Sequence, residues 1–156
     1  MNKAIIENFN QVVDRNDDLY LLGDIFLGGP NSIDAGIDLF NQLRGKIHLV
    51  WGNHDTDNRK LALSKCPNVV EICGYATMLK YNKYNFYLNH YPTATFNYDI
   101  DKPLRARILC LAGHTHSKDL FDSCGSYNVA VDAHDCYPIS LDEIINDFKN
   151  KELGQK

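Results

Sequence analysis

Ile47-His48-Leu49-Val50-Trp51-Gly52-Asn53-His54-Asp55 decides how this chain is read. An apolar run of strand length stops at a glycine, and three side chains with nitrogen or oxygen donors follow at once. The same arrangement recurs three times. Leu19-Tyr20-Leu21-Leu22 stops at Gly23-Asp24. Asn85 to Leu88 stops at Asn89-His90-Tyr91-Pro92, and Ile108 to Ala112 stops at Gly113-His114-Thr115-His116. In open α/β sheets, sites form just beyond the carboxyl ends of the strands. If these four strands lie side by side, their donor groups converge. Gly23, Gly52 and Gly113 would let the chain turn sharply off each strand.

Each piece has an ordinary reading of its own. Gly-Asp after a strand is a common turn, and a lone histidine such as His90 commonly packs in a core or at the surface. His114-x-His116 says more, because alternate strand residues share a face. The signal lies in the joint occurrence, always at strand ends.

Working outward, apolar positions at Ile5, Ile6, Phe9, Val12 and Val13 predict a helix over residues 3 to 13. Ser32 is placed to cap a helix running to about Leu43, with Gly45 ending it. A polar helix is expected from Asp57 to Ser64, and strands at Val69–Ile72 and Ala76–Tyr81. Asn82-Lys83 would turn a hairpin into the strand at Asn85–Leu88. Residues 93 to 106 read as loop with some helix. Tyr127 to Val131 reads as a last strand. Ser140 with Glu143 three residues on forms a capping box for a final helix.

The chain has 156 residues, enough to bury roughly 69% of its unfolded surface in one core. A single domain over residues 1–156 is therefore expected. No apolar run reaches the length of a membrane span, and the amino terminus lacks a signal-peptide pattern. These point to a cytoplasmic protein without a membrane partner. Net charge is −4, which disfavours binding to a nucleic-acid backbone. Arg105 and Arg107 are the basic pair nearest the motifs. The five cysteines form no CxxC, so they read as reduced thiols, with Cys110 in a buried strand. His48 reads as structural, and His134, in Asp132-Ala133-His134-Asp135, as surface loop.

GD (23–24), GNHD (52–55), His90 and GHTH (113–116) resemble the motifs of the calcineurin-like metallophosphoesterases, in a small bacterial and phage-type branch. NHYP (89–92) is similar to that branch's His-Tyr-Pro segment, and residues 128–144 are similar to its closing strand and helix. The resemblance implies an α/β fold, an αββα sandwich of mixed sheets. It also implies a metal-dependent phosphoesterase that hydrolyses a phosphomonoester or phosphodiester with a metal-activated water. Two divalent ions (Mn, Fe, Ni or Zn), about 4 Å apart, would do this in such enzymes. Asp24 would bridge both, and Asn53, His90 and His114 would complete the second-metal site. His54 would donate to the phosphate and protonate the leaving group. Asp55 would either fix the His54 tautomer or cap the following helix.

The family's opening strand with its Asp-x-His motif has no counterpart here. That leaves the first metal Asp24 and His116, and it implies a domain truncated at its amino end. A missing central strand would expose edges and favour a homodimer. A degenerate metal-binding module without turnover, acting through a partner, is the competing reading, and retention of His54 weighs against it. Small phosphate esters are the expected substrates. Tyr91, Phe96 and Tyr98 either stack on a base or pack.

Overall fold

Parallel strands need crossovers, and the chain supplies them as helices. The computed structural model describes residues 3–28, 32–94 and 101–154 of the protein. Helix α1 (Lys3–Val12) leads to β1 (Asp18–Leu22), α2 (Ile33–Phe40), β2 (Lys46–Val50), α3 (Asp57–Leu63) and β3 (Val69–Gly74). Strands β1, β2 and β3 pair in parallel in that order, with Leu19 opposite Ile47 and Leu22 opposite Val50. The second sheet runs β4 (Ala76–Tyr81), β5 (Tyr84–Asn89), β6 (Ile108–Ala112), β7 (Tyr127–Asn128). Its first pair is an antiparallel hairpin and the rest is parallel. Helix α4 (Leu141–Gly154) closes the described chain.

Two apolar clusters result. The first joins Ile6 and Phe9 of α1, Phe40, Leu43 and Leu63 to Leu19, Ile47 and Leu49. The second joins Phe86, Leu88, Leu109, Leu111 and Tyr127 to Ile144, Ile145 and Phe148 of α4. Tyr20 and Leu22 pack on the second cluster while Leu19 and Leu21 pack on the first. The period-two alternation of β1 thus places the first sheet between its helices and the second cluster. The architecture is the expected αββα sandwich, with one sheet parallel and the other mixed.

Two sheets, rather than one, carry the four motif-bearing strands. Strands β1 and β2 belong to the first sheet and β5 and β6 to the second, so the donor groups meet across the sandwich instead of along one sheet edge. Asn82 and Lys83 both take positive φ, 47° and 68°, as a two-residue hairpin turn requires. Helix α2 stops at Phe40 rather than Leu43. Ser32 precedes it in helical backbone and makes no side-chain cap. Strand β7 is shorter than expected because the Asn128 side chain accepts the Ala130 N–H at 3.0 Å, and Val131–Ala133 turn as a 3-10 helix. Phe96, Tyr98 and the Asn31 region lie outside the described residues. Among the described residues no helix is long and apolar enough to cross a membrane.

The capping box forms as read. The Ser140 N–H donates to Glu143 at 3.1 Å, its hydroxyl donates to the same oxygen at 2.6 Å, and the Glu143 N–H returns to the hydroxyl at 3.3 Å. The hydroxyl first, then the backbone N–H, hold the Glu143 carboxyl below its usual range. A depressed carboxylate stabilises above its ordinary range and loses that contribution as pH falls through the lowered value. Ser140→Ala should therefore cost about 1 kcal/mol at neutral pH. In urea denaturation, the gap from the parent chain should narrow in acid.

Candidate metal centre

Residues beyond the carboxyl ends of β1, β2, β5 and β6 do meet, and His90 is where they meet. Its side chain is 3% exposed. Nδ1 lies 2.8 Å from the carbonyl oxygen of Leu22, the last residue of β1. A carbonyl can only accept, so Nδ1 carries the proton and Nε2 is the nitrogen turned toward the other loops. Around that nitrogen stand Asn53 Oδ1 at 2.9 Å, His114 Nδ1 at 3.1 Å and Asp24 Oδ2 at 3.4 Å. Asp24, His90 and His114 each offer a donor atom within 4.8 Å of the others. With the His114 proton on Nδ1, its contact with His90 is a hydrogen bond; with it on Nε2 the lone pairs face one another, and a cation would turn that repulsion into binding. The donor set of two imidazoles, one carboxylate and one amide oxygen fits a divalent ion of the borderline class.

Glycine serves here for two different reasons. Gly23 has φ +84°, and a Cβ on it would stand 2.7 Å from His90 Nδ1 and 2.4 Å from the Gly52 nitrogen. Gly52 has ordinary φ, but its Cβ would stand 2.3 Å from Asp24 Oδ1. Gly113 meets neither condition; a Cβ there would find nothing nearer than 3.7 Å. The sharp turns belong to the donor residues themselves. Asp24, His114 and His116 have φ of 51°, 66° and 49°, a left-handed conformation that non-glycine residues adopt at a cost of order 1–3 kcal/mol.

Asp55 departs from both readings of the sequence. Its carboxylate is not directed at the His54 ring, and Thr56 holds the N-cap position of α3. It is 3% exposed and accepts three backbone N–H groups: Gly52 at 2.8 Å, Asp24 at 3.0 Å and Ile25 at 3.3 Å. It thus stitches the loop after β1 to the loop after β2. The reason is local: both loops leave their strands with unpaired N–H groups, and burial demands an acceptor.

His54 is exposed and held through its backbone. Its N–H donates to Asp24 Oδ1 at 2.8 Å, and its carbonyl accepts from Arg59 Nη1 at 2.5 Å. Arg59 is buried, donates also to the Gly28 carbonyl and lies over the Phe26 ring. Arg59 belongs to the helix expected to be polar, and nothing in the sequence marked it as buried. His116 stands apart from the Asp24–His90–His114 group. It is 73% exposed and its Nδ1 donates to Asp132 at 2.8 Å. Asp132 sits in the Asp-Ala-His-Asp stretch read as surface loop, so that stretch does reach a motif histidine. His134 bonds the Asn128 carbonyl at 2.7 Å and stacks on Tyr127. Tyr91 packs edge-on against His90 and His114 while remaining half exposed. Arg107 is paired with Glu152 at 2.7 Å and Arg105 lies over Tyr84.

A model of the calcineurin-like phosphoesterases matches residues 2–153. The chain belongs to the calcineurin-like phosphoesterase family. Membership points to phosphoesterase hydrolysis and implies divalent metal ions and small phosphate-ester substrates. An uncharacterized protein of Methanocaldococcus jannaschii is 30% identical over 151 residues, covering 93% of this chain and 73% of that protein. A protein of unknown function from Aquifex aeolicus, known from its crystal structure, superposes with a TM-score of 0.70 at 28% identity. The match covers 92% of this chain and 82% of that one. An archaeal phosphodiesterase shares the fold at a TM-score of 0.52 and 20% identity, over 80% of this chain and 72% of that one.

The two histidine-loop residues can be separated by experiment. Asp55→Asn sets an amide against N–H groups that need an acceptor, so it should destabilise the fold by about 2 kcal/mol. His54→Asn should leave the urea midpoint where it is. A stable Asp55→Asn chain would return Asp55 to the role of orienting His54.

Proposed function

We propose that the protein is a metal-dependent phosphoesterase whose cation is held by Asp24, Asn53, His90 and His114, with Asp24 and His116 serving a second. The observation that carries this is the convergence of Asp24, Asn53 and His114 ligand atoms on His90 Nε2. When bound, divalent ions there supply Lewis acidity and a water ionised near neutral pH.

The chain's own residues do the rest. His90, buried and tied to Leu22 through Nδ1, turns Nε2 toward the donor cluster. Asp132 takes the Nδ1 proton of His116, which leaves His116 Nε2 with its lone pair. Asp24 is anchored on both sides, by its own N–H to Asp55 and by the His54 N–H to its Oδ1. The exposed His54 imidazole stands on a backbone clamped by Asp24 and Arg59. It is suited to donate to a phosphoryl oxygen and to protonate the leaving alkoxide. Tyr91 lends an aromatic wall next to His114, suited to the organic group of the ester.

The test uses the Mn²⁺-loaded chain with p-nitrophenyl phosphate and bis-p-nitrophenyl phosphate. Hydrolysis of one or both should depend on the cation. His54→Ala should lower kcat by about 10²-fold or more with bound metal unchanged, and His90→Ala should lose the metal. A chain that binds Mn²⁺ stoichiometrically and hydrolyses neither ester would instead be a binding module.

A further inference from the structure

A second gathering of donor side chains sits at the middle of the first sheet, not beyond its strand ends. His48 of β2 stands between acids from both neighbouring strands. Its Nε2 is 2.9 Å from Asp18 Oδ1 of β1, and its Nδ1 is 2.6 Å from Glu71 Oε2 of β3. The ring lies flat on Tyr20, with centroids 4.3 Å apart and planes 15° apart, and its side chain is 12% exposed. Cys73 is two residues beyond Glu71 and so shares its face of β3. His48, Glu71 and Cys73 each offer a ligand atom within 4.8 Å of the other two.

One imidazole cannot serve two carboxylates as a neutral ring, because it has a single N–H. If Asp18 takes the Nε2 proton, Nδ1 is left with a lone pair facing the Glu71 carboxylate. This is the carboxylate–imidazole arrangement that orients histidines at metal sites. Burial, then Glu71, push the Cys73 thiol up, and burial followed by Glu71, Asp18 and Cys73 push the Tyr20 hydroxyl up. Glu71 and Asp18 thus add negative charge around Tyr20 and Cys73.

We propose that His48 Nδ1, Glu71 and Cys73 form a second cation site, for a thiophilic divalent ion of the zinc class, with Asp18 orienting His48. Nitrogen, oxygen and sulfur donors together favour zinc over magnesium, calcium or manganese. Three protein ligands leave the fourth position to water. Binding replaces the Cys73 thiol proton with the cation and releases that proton to solvent. The ion would bridge β2 and β3 across a register that shifts between Leu49 and Val50. The site is independent of the reading of the phosphoesterase centre, and its chemistry differs, since Asp24, Asn53, His90 and His114 include no sulfur.

That difference supplies the test. Titrating the full chain with Co²⁺ should produce a near-ultraviolet thiolate-to-cobalt charge-transfer band. Cys73→Ser and His48→Gln should abolish it, and Glu71→Gln, at an exposed position, should weaken it without touching the sulfur. His90→Ala should retain it in full. Circular dichroism checks that each variant is folded. A wild-type chain without the band overturns the proposal, and so does a band that survives Cys73→Ser.

Discussion

The hydrogen bond from His90 Nδ1 to the Leu22 carbonyl is the contact on which the site depends. It joins the end of β5 in one sheet to the end of β1 in the other, and it fixes which nitrogen of the imidazole faces the donor cluster. Gly23 makes the approach possible by having no Cβ, and the Gly113 N–H holds the His90 carbonyl at 3.1 Å. A single buried ring therefore registers the two sheets and sets their chemistry. Losing it would cost both, since among the described residues it is the one on which Asp24, Asn53 and His114 converge.

Around that contact the loops trade local comfort for convergence. Asp24, His114 and His116 adopt left-handed backbone without being glycine. Such strain persists only where surroundings over-determine it. For Asp24, Asp55 supplies such constraint by binding three N–H groups from two loops, and Arg59 holds the neighbouring His54 and Gly28 carbonyls. Both side chains bind backbone groups, and they hold in place the loops that carry Asp24 and His54.

The pattern of apolar runs ending in donor groups was enough to read the strands, the hairpin turn and the four motif positions, because strand burial and turn chemistry are written locally. Which sheet each strand joins was not readable. Alternation along β1 or β5 tells that two faces are buried, but not against what. Asp55 was misread for a similar reason. Beside a histidine, a carboxylate suggests a partner for the ring, whereas the unpaired N–H groups it satisfies are created by loops that only the fold brings together. Asp132 was hidden by sequence distance from His116, and Arg59 by a helix whose polar composition resembled a solvent face.

The central claim is that His90 offers a deprotonated Nε2 to a cation while Nδ1 stays bound to Leu22. Long-range proton–nitrogen correlation spectra of the ¹⁵N-histidine-labelled chain would test it directly. The account predicts a pyridine-type Nε2 and a protonated Nδ1 for His90 before metal is added, and a large shift confined to Nε2 as Zn²⁺ is titrated in. A protonated Nε2 in the free chain, or a His90 signal indifferent to the cation, would contradict it.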